Sequence, residues 1–295
     1  MSTHFGFAAI IGAPNAGKST LVNQLTGSKI SIVSHKVQTT RARIRAILVE
    51  GDVQAVLVDT PGIFAPKRKL DEAMVQNAWA GASESDALLL LVDARRGIDE
   101  QVTAIIAQMK TTKTKAVLVL NKTDLIRPEQ LLPLSEKLNS EFPFSATFMV
   151  SALNGKGVDA LRKHILAAMP EGPWHYPGDQ AADVNLRFLA AEITREKIYE
   201  RLHEELPYAS TVETEGWEER KDGSVKISQM IFVERDGQKA IVLGKGGQTV
   251  KTLGQLARAD MEKFFERRVH LFLFVKVREN WTQDPERLRM MGLLG

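Results

Sequence analysis

Gly12–Ala13–Pro14–Asn15–Ala16–Gly17–Lys18–Ser19 is the stretch on which the reading of this sequence turns. It follows the apolar run Phe7–Ala8–Ala9–Ile10–Ile11 and leads into a helix-like segment from Ser19 to Leu25. The pattern is GxxxxGK[ST] between a strand and a helix, the context that gives it meaning. The glycines let the backbone wrap round phosphate oxygens so that successive N–H groups point inward, and the helix N-terminus adds positive potential. Lys18 is placed to reach terminal phosphates and Ser19 to ligate Mg²⁺. The candidate nucleotide-contacting run is Gly12, Ala13, Pro14, Asn15, Ala16, Gly17, Lys18, Ser19 and Thr20.

Outward from this loop, strand-like and helix-like segments alternate through roughly the first 170 residues. Ala46 to Val49 and Ala55 to Val58, separated by Glu50–Gly51–Asp52, read as a hairpin. Ala87 to Ala94 and Ala116 to Lys122 are near-continuous apolar strands, as expected when both faces of a sheet are covered. Between them Val102, Ile105, Ile106 and Met109 recur at helical spacing. Ala146 to Val150 adds a strand and Val158 to Met169 a helix. The prediction is an α/β domain: a mainly parallel sheet with helices on both faces and one antiparallel pair.

The punctuation then changes. Residues 169–180, MPEGPWHYPGDQ, hold three prolines and two glycines and read as a linker. Helix-like residues follow from Asn185 to Leu206, then strands at Thr211–Glu218 and Val225–Glu234 joined by a turn at Lys221–Asp222–Gly223. A further helix pattern and a last strand, Val269–Val277, complete an α+β unit. The expected organisation is a first domain over 1–172, a linker over 173–183 and a second domain over 184–295.

Composition excludes several classes. The chain has 295 residues, 44% hydrophobic and 25% charged, which suits globular domains rather than a disordered or fibrous chain. With no cysteine there is no disulfide scaffold, thiolate metal site or cysteine nucleophile. No apolar run nears the ~20 residues of a membrane span, and no basic leader precedes an apolar segment, so a cytoplasmic location is expected. The six histidines form no ligand-spaced cluster. Residues 1–49 and 237–259 lack acids but contain Lys and Arg, which suggests two anionic partners or two contacts with one.

Three further motifs give the phosphate loop its partners. Asp59–Thr60–Pro61–Gly62 ends an apolar run: Asp59 can hold Mg²⁺ and the Gly62 N–H can approach a γ-phosphate. Asn121–Lys122–Thr123–Asp124 follows another strand. Guanine presents two adjacent donors that the Asp124 carboxylate can accept, while the Lys122 stem can cover the base. Ser151–Ala152–Leu153 can supply a backbone N–H to guanine O6. In this order and spacing the motifs form the G1–G5 signature, and the first domain resembles the translation-factor-related class of P-loop GTPases. That resemblance implies GTP and GDP as ligands and assigns Gln38–Thr39–Thr40–Arg41 to switch I. There Thr40, with Thr39 as competitor, joins the Mg²⁺ shell of Ser19 and Asp59. Lys18, Thr40 and Gly62 are the expected catalytic set. Ile63 stands where Ras-like GTPases carry a water-orienting glutamine, so intrinsic turnover is expected to be slow. Related GTPases with an aliphatic residue there use a monovalent cation held by a phosphate-loop asparagine, so Asn15 is the candidate K⁺ ligand.

In the second acid-free stretch, Gly244–Lys245–Gly246–Gly247 lies between two helix-like segments, with Lys251 one turn on. A GxxG turn between helices can clamp about four nucleotides of single-stranded RNA, its small residues admitting the backbone and its lysines the charge. With the surrounding helix and strand order, this resembles a type II KH domain. A GTPase domain joined to such a domain makes the whole chain resemble the Era family of bacterial GTPases. The resemblance implies binding to the 3′ end of 16S rRNA, a role in 30S subunit assembly, peripheral contact with the inner membrane and a monomeric chain. The rivals are a GTPase assisting tRNA modification and a passive RNA chaperone with a structural nucleotide site. Trp174 and Tyr176 are expected to dock the linker, Phe264 and Phe265 to be core, and Trp217 and Trp281 to pack at domain edges.

Overall fold

The computed structural model describes residues 2–34, 36, 40–66, 68–112, 115–183, 185–291 and 293. Gln38 and Thr39 of the expected switch I, and His35, lie outside the described residues. The chain divides into two compact units. One holds residues 2–31, Thr40–Asp183 and the C-terminal 289–291 and 293; the other holds 32–34, 36 and 185–288.

The first unit is built on a seven-stranded sheet in the order β6-β5-β4-β1-β3-β2-β7. Its strands are β1 (His4–Ile11), β2 (Ile44–Glu50), β3 (Val53–Asp59), β4 (Ala87–Asp93), β5 (Ala116–Asn121), β6 (Ala146–Met149) and β7 (Ala182–Asp183). Helices α1 (Lys18–Thr26), α2 (Lys69–Ser83), α3 (Glu100–Thr112), α4 (Leu131–Glu141) and α5 (Val158–Ala167) connect them. β1 runs parallel to β3 and β4, β4 to β5, and β5 to β6. Every residue of β5 is buried, which explains the unbroken apolar run. Parallel register brings the ends of β1, β3, β4, β5 and β6 to one rim, where ligands bind in folds of this kind.

The sheet contains two antiparallel pairs, where one was expected. β2 pairs with β3 as the hairpin predicted, and β2 also pairs with β7. β7 is two residues long, too short to leave a periodic signal. The stretch before it is tied down as well. The buried Gln54 amide accepts from His175 N–H at 3.1 Å and Tyr176 N–H at 3.0 Å, and donates to the Tyr176 carbonyl at 2.8 Å. The Trp174 indole donates to Asp52 O at 3.1 Å. Both aromatic residues therefore dock on the first unit.

The second unit follows the order α6 (Leu186–Arg201), β8 (Ser210–Glu219), β9 (Val225–Val233), α7 (Asp236–Leu243), α8 (Gln248–Phe265), β10 (Val269–Val277) and α9 (Pro285–Met290). Its sheet has the order β10-β9-β8, with β8 antiparallel and β10 parallel to β9. Ile198, Val212, Ile231 and Leu253 centre one core cluster, and Ile193, Ile227, Ala257 and Met261 another. Phe264 and Phe265 pack against the second cluster from a partly buried position. Residues 32–34 and 36 lie against α6. Val33 N–H donates to Glu196 at 2.9 Å, and the Lys36 ammonium donates to the Tyr199 and Leu202 carbonyls at the α6 C-terminus, where a cation is favoured. Trp281 is fully buried and its indole N–H donates to Ala209 O at 3.0 Å, so it is core and not a base-stacking surface.

Candidate nucleotide site and nucleic-acid groove

The phosphate loop leaves β1 at the sheet rim and turns into α1 at Gly17, which has φ 98°. A Cβ at Gly17 would lie 2.3 Å from Asn121 Nδ2, so only glycine fits. Asn121 explains this closeness. Its amide donates to Ala16 O at 2.8 Å and its carbonyl accepts from Ala152 N–H at 2.9 Å. One buried side chain thus joins the phosphate loop, the end of β5 and the loop after β6.

Lys18 is buried, and its ammonium donates to Gly12 O at 3.1 Å and Ala13 O at 3.0 Å. Burial pulls its pKa down to about 8, against the opposing pull of the Asp59 charge. Such an ammonium is held ready for a stronger anionic partner. Ser19 Oγ donates to Asp59 Oδ2 at 2.7 Å and lies 2.8 Å from Thr40 Oγ1, which itself donates to Asp59 Oδ2 at 3.3 Å. The three residues expected around a metal therefore converge. Burial raises the Asp59 carboxyl, with the Ser19 hydrogen bond and the Lys18 charge opposing it. Asp59 Oδ1 is buried with no hydrogen-bond partner among the described residues. Two hydroxyls and a carboxylate with spare capacity form a hard-oxygen donor set that fits Mg²⁺.

The segment after Asp59 folds back on the phosphate loop. Ile63 N–H donates to Gly12 O at 3.1 Å, and a Cβ at Gly62 would lie 2.9 Å from Pro14. Thr60 turns inward, its hydroxyl donating to Ile10 O at 2.7 Å. The Ile63 side chain is buried in the core with Ile11, Val58 and Ala78. Lys122, at φ 63°, sends its ammonium to Asn15 O at 2.6 Å and Asp93 Oδ2 at 2.6 Å. Asp93, at the end of β4, went unnoticed in the sequence. Its only signal there is a carboxylate closing an apolar strand, as Asp59 closes another. Asp124 sits exposed in a single 3₁₀ turn, Thr123–Leu125. Ser151 and Ala152 are buried and Leu153 is 78% exposed. Asn15 and Thr20 are half-buried, and Pro14 and Ala16 buried.

In the second unit Gly244 ends α7 and Gly247 opens α8. A Cβ at Gly244 would meet Thr249 Oγ1 at 2.1 Å, whereas Gly246 and Gly247, at φ 61° and 78°, face open space. Lys245 and Lys251 are exposed. Beside the loop an open groove of about 360 Å³ runs between α8 and β10, lined by Val250, Lys251, Gly254, Arg258, Leu271 and Phe272 among others. Apolar walls with lysine and arginine at the mouth suit bases inside and phosphates outside.

Fold and sites together define a P-loop GTPase carrying a type II KH domain. A family profile described as "50S ribosome-binding GTPase" matches residues 7–122, and one described as "KH domain" matches residues 205–282. The chain belongs to the GTPase Era family. It is 62% identical to GTPase Era of Brucella suis biovar 1 over 99% of this chain and 94% of that protein, and 60% identical to GTPase Era of Afipia carboxidovorans over the same shares. It resembles the crystal structure of Era with MgGDPNP and nucleotides 1506–1542 of 16S ribosomal RNA, with a TM-score of 0.94, 36% identity and coverage of 99% of this chain and 100% of that one. A variant of Aquifex aeolicus Era bound to GDP·AlF4⁻ matches with the same score, identity and coverage. No helix among the described residues is long and apolar enough to cross a membrane.

Proposed function

We propose that this GTPase is a molecular switch that binds 16S rRNA near its 3′ end through its KH domain and acts in 30S subunit assembly. One observation carries the reading: a phosphate loop bracketed by Asn121 and a GKGG groove occur in a chain that aligns end to end with an Era bound to MgGDPNP and 16S rRNA. The GTPase domain is assigned to 1–172, the linker to 173–183 and the RNA-binding domain to 184–295.

Gly12 to Thr20 cradle the phosphates, with Lys18 on the β- and γ-phosphates. Asn121, Lys122 and Asp124 hold guanine together with Ser151, Ala152 and Leu153. Thr60 and Pro61 shape the turn that aims the Gly62 N–H at the γ-phosphate. Mg²⁺, held by Ser19, Thr40 and Asp59, would neutralise charge on the phosphate oxygens. Water attacks the γ-phosphorus, the bond to the β-phosphate oxygen breaks, and Lys18 with the loop N–H groups stabilises the charge that gathers on the leaving diphosphate. Loss of the γ-phosphate then releases Thr40 and Gly62, the order–disorder step of such switches.

Ile63 is turned into the core and presents no group to the water. Intrinsic turnover is accordingly slow, and K⁺ beside Asn15 supplies the missing help. Equal turnover in K⁺ and Na⁺, with Asn15→Ala silent, would remove the cation from the scheme. The chain acts as a cytoplasmic monomer with peripheral contact to the inner membrane.

UV crosslinking with sequencing in cells tests the whole. Wild-type crosslinks should concentrate at the 16S 3′ end and vanish in Gly246→Asp, which puts bulk and negative charge at the clamp. Lys18→Ala should abolish nucleotide binding and leave RNA affinity in place. Crosslinks mainly to tRNA or scattered over messages would refute the ribosomal assignment.

A further inference from the structure

The KH sheet carries an aromatic pair that neither nucleotide binding nor the GKGG loop uses. Along β10, Leu271, Leu273, Val275 and Val277 pack against the core clusters. Alternation therefore turns His270, Phe272, Phe274 and Lys276 to the opposite face of the sheet. Phe272 is 46% exposed and Phe274 53% exposed. Strand register places Ser228 beside Phe272 and Gly216 beside Ser228, so a low, flat row runs inward from the Phe272 ring. Met230 stands beside Phe274. At the other end of this face Phe232 is buried beneath the Arg287 guanidinium, 3.9 Å from its ring centroid, so that end is closed and Phe272 and Phe274 mark the open one.

Charge and continuity decide what fits the open end. β10 contains no acid, and the nearest basic groups on this face are His270, Lys276 and Lys226, the last paired to Glu218 at 3.3 Å. Glu213 and Glu218 belong to β8, two strands and about 10 Å away. Phe272 also lines the groove beside Lys251 and Arg258, so the groove and this face meet round the free edge of β10. A stable protein interface needs about 800 Å² per partner with an apolar centre. Two rings bordered by Lys, His and Ser are too few for that, but they suit bases, which stack singly on aromatic side chains. Residues two apart on a strand are about 7 Å apart, so each ring can serve a different base of an extended chain.

We infer that Phe272 and Phe274 form a stacking platform for two further bases of the single-stranded RNA held by the GKGG groove, as the strand turns round the β10 edge. The inference rests on the groove reading and adds a second surface to it. The test uses the full chain, the octamer within nucleotides 1506–1542 of 16S rRNA that it binds best, and that octamer's nested tetramers, measured by fluorescence anisotropy. The wild type should bind the octamer about tenfold or more tightly than any tetramer. Phe274→Ser, whose ring lies outside the groove lining, should lose most of that gain, keep tetramer affinity and keep RNA-free GTP turnover as a sign of intact folding. Phe274→Tyr should restore it, and the lost increment should be insensitive to salt, unlike the lysine contacts. No gain from tetramer to octamer in the wild type, or an unchanged gain in the serine variant, overturns the platform. Octamer binding indifferent to Gly246→Asp but lost in the serine variant would overturn the groove reading and leave the platform standing.

Discussion

The two binding regions use glycine differently. In the phosphate loop glycine is enforced by neighbours: a methyl group at Gly17 would collide with the Asn121 amide at 2.3 Å. In the GKGG turn only Gly244, where the turn leaves α7, is crowded in this way, whereas Gly246 and Gly247 at its tip have nothing within 4 Å and are needed for their backbone angles and for the room they leave. The nucleotide rim is set by packing before any ligand arrives, with Lys18, Asp59 and Asn121 all buried. The RNA surface is open, with Lys245, Lys251 and Phe274 exposed. A preorganised rim suits a small ligand that must be held for chemistry. An open surface suits a long, flexible one held by stacking and charge.

Substitution can break this contrast, and the largest effect should come at Gly17. Gly17→Ala adds a clash and a disfavoured backbone angle together, and GDP affinity by fluorescence titration should fall on the order of 100-fold or more. A loss under tenfold would mean that the Asn121 bracket yields easily. The next effect is one of pH. In the nucleotide-free protein burial holds Lys18 at about 8, and phosphate oxygens raise it on binding. Binding therefore takes up a proton above pH 8. GDP affinity without divalent metal should be level below pH 8 and fall about tenfold per unit above it. A flat profile from pH 7 to 9 would show that Lys18 is not the anchor.

Smaller changes are expected on the open side. Gly246→Ala should cost about 1–2 kcal/mol of stability for its left-handed angle, read by thermal denaturation, and only a few-fold in RNA affinity. Loss comparable to Gly246→Asp would mean that the turn is as tightly enclosed as the phosphate loop. The smallest effect on rate belongs to Ile63→Gln. A side chain turned into the core cannot orient water, so turnover should not rise, while burying an amide should lower stability by about 1–3 kcal/mol. A faster enzyme would show that this position swings to the nucleotide during hydrolysis.

What could be read in the sequence were features carried by short-range spacing. The phosphate loop, the buried strands β4 and β5 and the last strand β10 all announce themselves within a few residues. Helix α2 did not, because its buried face is built from Ala73, Ala78, Gly81 and Ala82 with few large residues to mark a period. Asp93 was missed because its partner Lys122 lies 29 residues along the chain. The burial of charge in helix α6 was not legible either. Glu192, Arg195, Glu196 and Lys197 are all buried; Arg195 pairs with Glu192 and Lys197 with Glu196 within the helix, and Lys197 also reaches Asp260 at 2.7 Å. Which charged residues are taken into the interior depends on tertiary neighbours such as Asp260 and leaves no local pattern.

The short strand β7 covers part of an otherwise open sheet edge. Without Ala182 and Asp183, the backbone of β2 around Arg45 and Ala46 would join the open sheet edge and lengthen a template for intermolecular pairing. Without His175 and Tyr176, the buried Gln54 amide would also lose its three partners. A fragment ending at Gly172 should accordingly self-associate on concentration, whereas one ending at Asp183 keeps its seal. The Pro- and Gly-rich stretch thereby leads into a strand that shortens an exposed sheet edge, as well as serving as a tether.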